Sequence, residues 1–86
     1  MPQISRFFGI VIAMYYNDHA PPHFHARYGD HEATFSIDSL AALEGSLPQR
    51  AAALVLEWAF QHREELARDW ELARQAQPLQ PIAPLE

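Results

Sequence analysis

Cysteine and lysine are both missing from the 86 residues. Without cysteine there is no disulfide to staple the fold, no thiolate nucleophile and no Cys-ligated zinc site. Without lysine, all six cations are arginines, set against eleven acids for a formal net charge of −5. An acidic chain is poorly matched to a phosphate backbone, so nucleic-acid binding ranks last among the functions considered. The three glycines, Gly9, Gly29 and Gly45, lie too far apart for a phosphate-cradling loop. Ser5, Ser36, Ser39 and Ser46 lack the glycine setting of a nucleophile elbow. The longest apolar run, Phe7 to Tyr16, is about half the roughly twenty residues a spanning helix needs, and no cleavage-site pattern follows it. The expectation is a soluble, cytoplasmic protein with no membrane association.

What is present is ordinary globular composition, 49% hydrophobic and 20% charged, in a length that makes one domain. A domain this small buries only about 60–65% of its unfolded surface, so it needs a good core, a metal or a partner. Residues 1–76 are read as a single α+β domain and 77–86, with Pro78, Pro81 and Pro84, as a proline-rich tail packing through Leu79, Ile82 and Leu85.

The first half has strand character. Phe7 to Tyr16 is apolar on both alternating faces, which predicts a strand covered on two sides. Asn17 to Pro22 is a loop, since tandem proline removes two donors and fixes φ. Strands over about 23–28 and 31–37 flank a two-residue Gly29-Asp30 turn. With Tyr28 opposite His31, one face carries Phe24, Ala26, Tyr28, Ala33, Phe35 and Ile37. The other carries His23, His25, Arg27, Glu32, Thr34 and Ser36, with Arg27 placed to pair with Glu32. That second face reads as exposed. Asp38 to Gly45 is open between a turn, a short strand and a helical turn.

From Leu47 to about Gln75 the period becomes 3.6. Ala51, Leu54, Val55, Trp58, Ala59, His62, Leu66, Trp70 and Ala73 share one stripe, opposite Glu57, Arg63, Glu64, Arg68, Glu71 and Arg74. This is one long helix, or two broken near Gln61-His62-Arg63. No Gly or Pro stands there, so a break would have to come from packing. The fold class expected is α+β: a small antiparallel sheet of three or four strands packed against a C-terminal helical segment.

The dense chemical feature is Asp18-His19-Ala20-Pro21-Pro22-His23-Phe24-His25. His23 and His25 project from one face of a strand, and the two prolines stiffen the loop that carries His19. Three imidazoles with a water is an open, catalytic-type coordination set, compatible with zinc, nickel, copper or iron. His19, His23 and His25 are the candidate metal ligands. Asp18 is either a fourth ligand or the partner that fixes a histidine tautomer. A divalent transition metal, zinc or nickel, is the candidate cofactor. The plainer alternative is that these histidines only hydrogen-bond the loop. His62 lies on the apolar stripe, either satisfied by a carbonyl or by Glu65, or brought to the loop as a further ligand or base. Candidate catalytic residues are His23, His25, His62 and Arg27, in a metal-dependent hydrolase or a ribonuclease.

Arg6-Phe7, Gly9-Ile10, Met14-Tyr15, Asp18-His19, Pro21-Pro22-His23-Phe24-His25-Ala26 and Tyr28-Gly29 together resemble the small bacterial family named domain of unknown function 4160. Glu44-Gly45, Leu47-Pro48, Glu57-Trp58, His62-Arg63-Glu64-Glu65-Leu66 and Trp70 continue the resemblance through the second half. The resemblance implies a short bacterial protein, often encoded beside a domain of unknown function 2442 protein in an arrangement like a two-gene toxin–antitoxin module. It brings no catalytic residues. The function it implies is protein–protein interaction with the product of a neighbouring gene, with homodimerisation as a further partner expectation.

Overall fold

The computed structural model describes residues 2–16 and 18–86. Five strands, β1 (Gln3–Phe7), β2 (Ile10–Ala13), β3 (His23–Tyr28), β4 (His31–Ser36) and β5 (Ala42–Gly45), form one antiparallel sheet in chain order. Two helices, α1 (Gln49–Gln61) and α2 (Arg63–Arg74), follow. The fold is α+β, with five strands where the sequence predicts three or four.

One additional strand is β1, which lies upstream of the predicted Phe7–Tyr16 strand and forms a hairpin with β2, all that remains of that strand. Phe8 and Gly9 make the hairpin's turn with φ of 49° and 80°. A bulky residue seldom adopts a positive φ, so the unbroken apolar run conceals the turn. The other addition is β5, which settles the ambiguous 38–45 segment as a short edge strand.

The β3–β4 hairpin has the predicted register, Tyr28 opposite His31 through to His23 opposite Ser36. Phe24, Ala26, Ala33, Phe35 and Ile37 are buried together. Phe24 stacks on Phe35 at 5.6 Å between ring centroids. Trp58 of α1 closes the core against Phe7 at 5.4 Å and Phe24 at 6.0 Å. Each fully buried side chain of this kind contributes about 1.5–3 kcal/mol.

The helical stripe breaks at His62, whose φ of −124° and ψ of 28° leave the helical region. Packing supplies the cause. Ala51, Val55, Trp58 and Ala59 face the core from α1, while Leu66, Trp70 and Ala73 face it from α2. Re-aiming the chain at His62 lets Trp70 reach the His23 ring, 5.3 Å away.

The 77–86 segment is anchored. Ile82 N–H donates to Ile4 C=O at 2.8 Å, so the tail pairs with the outer edge of β1. Trp58 Nε1–H donates to Ala83 C=O at 2.8 Å, and Gln80 N–H donates to Asp69 Oδ1 at 2.9 Å. Ile82 and Leu85 are core residues. Among the described residues no helix is long and apolar enough to cross a membrane.

Candidate metal centre

His23 and His25 alternate with Phe24 and Ala26 along β3, so their side chains leave the sheet on the face opposite that apolar pair. Arg27 and Glu32 are exposed as the alternation predicts, but toward the loop end of the hairpin the same face is covered. His23 is only 4% exposed, and His25 is half-buried. The β2–β3 connection folds back across the rings. Tyr15 meets His25 edge-on at 4.4 Å, and Trp70 packs against His23. Ile37 N–H donates to Pro22 C=O at 3.0 Å and ties the loop to the end of β4.

This fold-back brings the Asp18 carboxylate onto both imidazoles. Asp18 Oδ2 lies 3.0 Å from His23 Nε2 and 3.4 Å from His25 Nε2. One donor atom from each of the three residues falls within 4.8 Å of the others. Ligands held at about 2.0–2.1 Å by a tetrahedral ion stand roughly 3.3 Å apart, so these separations fit a shared cation.

The other ring nitrogens sharpen the point. His23 Nδ1 lies 2.7 Å from Pro21 C=O. A carbonyl only accepts, so Nδ1 carries the hydrogen, and in the neutral ring Nε2 is left with a lone pair. That lone pair faces a carboxylate oxygen. Two acceptors at 3.0 Å require a proton or a metal ion between them. His25 Nδ1 has Glu32 Oε2 at 3.4 Å, close enough to pair electrostatically but not aligned as a hydrogen bond. Both rings thus turn Nδ1 toward an outer oxygen and Nε2 inward, the orientation that outer partners impose on metal-binding histidines. Glu32 stands opposite Arg27 in the ladder. Its carboxylate instead approaches His25 Nδ1, and among the described residues Arg27 forms no ion pair.

Burial pushes the Asp18 carboxyl up. The His19 backbone N–H, the His25 ring, and the charge and hydrogen bond of His23 more than offset it. The net effect holds Asp18 below the ordinary carboxylate value, as an ion pair with a protonated His23 ring would.

His19 takes a different place from the one the spacing suggests. Its side chain is 79% exposed. Its Nδ1 and its backbone N–H both donate to the other carboxylate oxygen, Asp18 Oδ1, at 2.9 Å. The third group at the point of convergence is therefore Asp18, with His19 steadying it. His62 is not part of the cluster. Its Nδ1 donates to Glu65 Oε1, and its ring lies 5.5 Å from Trp58. Arg27 is exposed. Thr34 is a site residue that the motif reading passed over. It stands directly opposite His25, is buried, and lines both hollows beside the imidazoles. The strand register was the signal that could have found it.

With two imidazoles and one carboxylate, the donors match the sets used by open zinc sites and by non-haem iron(II) sites. The centre also lies inside a matched family span: residues 9–71 match the domain of unknown function 4160. The chain belongs to this family. In DUF4160 terms, the span covers β2, the whole Asp18–His25 segment, β3 to β5, α1 and most of α2. It leaves out β1 and the tail. No curated protein and no solved structure matches the chain.

Proposed function

We propose that this DUF4160 protein binds a divalent transition-metal ion through Asp18 Oδ2, His23 Nε2 and His25 Nε2. The observation that carries the reading is the His23 ring. With Nδ1 spent on the Pro21 carbonyl, its inward nitrogen stands 3.0 Å from an Asp18 carboxylate oxygen. Three protein ligands leave at least one position open, and a bound zinc or iron there would polarise a water or a small ligand. The chain's own contribution is orientation: the Pro21 carbonyl fixes the His23 ring, Tyr15 packs edge-on against His25, and His19 fixes the carboxylate. His23 cannot serve as a general base toward a substrate, because both of its nitrogens are committed inside the protein.

The test is metal addition to protein purified without an affinity tag. At a free zinc, nickel or cobalt concentration of one hundred times Kd, binding to the folded state adds about 2.7 kcal/mol. For a domain of this size that raises Tm by roughly 10–20 °C. The His23→Ala/His25→Ala variant should lose the rise. A wild-type Tm unmoved by all three metals overturns the proposal.

A second reading, an interaction module of the toxin–antitoxin kind, is favoured by a separate surface. Phe8, 60% exposed, and Tyr28 border a hollow of about 310 Å³ with Ile10, Pro48, Arg50, Ala51 and Leu54. Co-expression with the product of the adjacent gene tests it. Stable co-purification lost in Phe8→Ser supports this reading, and independent elution of the two products removes it.

A further inference from the structure

The 77–86 tail is buried with a period that neither a strand nor a helix has. Leu79, Ile82 and Leu85 pack against the core, while Pro78, Pro81 and Pro84 are exposed. A spacing of three is the repeat of the polyproline II helix. The sequence favours that conformation. Each proline fixes its own φ at about −65°, and Gln77, Gln80 and Ala83, each preceding a proline, are held in the extended region. Three main-chain groups of the tail are bound, each by a different element. Asp69 Oδ1 of α2 accepts Gln80 N–H at 2.9 Å. Ile4 C=O of β1 accepts Ile82 N–H at 2.8 Å. Trp58 Nε1–H of α1 donates to Ala83 C=O at 2.8 Å. The prolines stand only where no N–H is taken. The groove thus holds a backbone and one apolar side chain in three, and Gln77, Gln80 and Ala83 are left exposed. Aromatic-lined grooves bind proline-rich peptides by these means. The tail does not fill the groove. A hollow of about 430 Å³ remains between α2 and Gln80, Pro81 and Ile82. Asp69, which lines it, keeps Oδ2 buried without a partner.

We propose that the groove formed by Ile4, Trp58 and Asp69 is a recognition site for a proline-rich segment of a partner protein, with proline at every third position and an apolar residue after each proline, and that the tail occupies it in cis as a displaceable ligand. A tethered ligand has a high effective concentration, so it holds the site closed at modest intrinsic affinity and yields to a partner that fits better. The stiffness of a proline-rich segment lowers the ordering cost of docking for either occupant. Asp18, His23 and His25 take no part.

Native-state hydrogen exchange and a peptide titration test this. In wild type the Gln80 and Ile82 amides should exchange through detachment of the tail alone, with protection at least about a hundredfold below that of Val55 in α1. Equal protection makes the tail an integral part of the fold and overturns the proposal. Ile82→Ser/Leu85→Ser loosens the tail and leaves Ile4, Trp58 and Asp69 unchanged. A synthetic peptide of residues 77–86 should bind this variant in a calorimetric titration. Its Pro78→Ala/Pro81→Ala/Pro84→Ala form should bind at least about tenfold more weakly, because its unbound ensemble is broader. A folded variant that takes up neither peptide overturns the groove, and equal affinity for the two overturns recognition of the proline repeat. If the variant does not fold, the exchange experiment on wild type decides. Dimerisation of wild type with rising concentration, absent in the variant, assigns the groove to the tail of a second copy and overturns the partner protein as occupant.

Discussion

Gly45 offers the sharpest test of how β5 is held beside the centre. It has φ of +71°, and a Cβ placed on it would lie 2.1 Å from the Glu32 carbonyl oxygen and 3.2 Å from Ala33 Cα. Gly29 is its control. It also has positive φ, +59°, but a Cβ there meets nothing within 4 Å. Gly29→Ala therefore incurs only the conformational penalty of a left-handed residue, about 1 kcal/mol. Gly45→Ala incurs the same penalty and must also push β5 from β4. The Glu32 carbonyl that obstructs the methyl group is the acceptor for Ser46 N–H at 3.2 Å. Displacing it loses that bond and weakens the Ala33–Gly45 pairing, at about 1 kcal/mol for each bond. The total is about 3 kcal/mol, a large share of the stability of a domain this size, which is on the order of 0.1 kcal/mol per residue. Urea unfolding is the assay: the midpoint should fall for both variants with m unchanged, and about 2 kcal/mol further for Gly45→Ala. Equal losses within about 0.5 kcal/mol, the additivity error for separate sites, would refute the claim that the Glu32 carbonyl is a fixed wall.

Three further outcomes are expected. Asp69 is buried, with Oδ1 accepting Gln80 N–H and Oδ2 unpartnered. Burial raises its pKa against the lowering effect of that bond, with Glu65 adding to the rise and Arg68 opposing it. The folded state then binds more protons than the unfolded state between the ordinary carboxylate value and the raised one. Stability is lost as pH climbs through that window and levels off above it. Asp69→Asn, which keeps an acceptor for Gln80, should be more stable than wild type at pH 7, with the gain vanishing in acid; Tm measured against pH checks this. Trp58→Phe removes the Nε1–H bond to Ala83 and part of a fully buried side chain, and should cost about 2–3 kcal/mol and speed hydrogen exchange at the Ile82 amide. His19→Ala should weaken metal binding by less than about tenfold, since the lost bond is worth about 1 kcal/mol and the backbone N–H of residue 19 still holds Asp18 Oδ1, while His23→Ala abolishes it; calorimetric titration separates the two.

How far the sequence carries these conclusions depends on the range of the interaction that decides each element. The β3–β4 hairpin was legible because alternation and a Gly29-Asp30 turn are local, and they fix the register down to Thr34 opposite His25. The Phe8-Gly9 turn was not, since a phenylalanine stands at a positive φ where Asn, Asp or Gly would announce a hairpin. The Asp18–His25 segment was legible as the place of chemistry but not in its roles. Spacing counts His19 as a third imidazole, yet the direction in which the loop re-enters the fold decides which side chain faces inward. It turns Asp18 toward the rings and His19 toward solvent. The row His23, His25, Thr34 and Ser36 alternates with apolar neighbours just as a solvent-facing strand would, and His23, Thr34 and Ser36 are nonetheless buried. A polar row under water and a polar row under a covering loop have the same period. What separates them here is Trp70, arriving on α2 after the break at His62, and Tyr15, arriving on the fold-back after β2. Those two aromatic contacts exclude water from one side of the imidazoles and leave Asp18 as the group their inward nitrogens meet. An ordinary strand alternation becomes a candidate metal centre through contacts that no local pattern encodes.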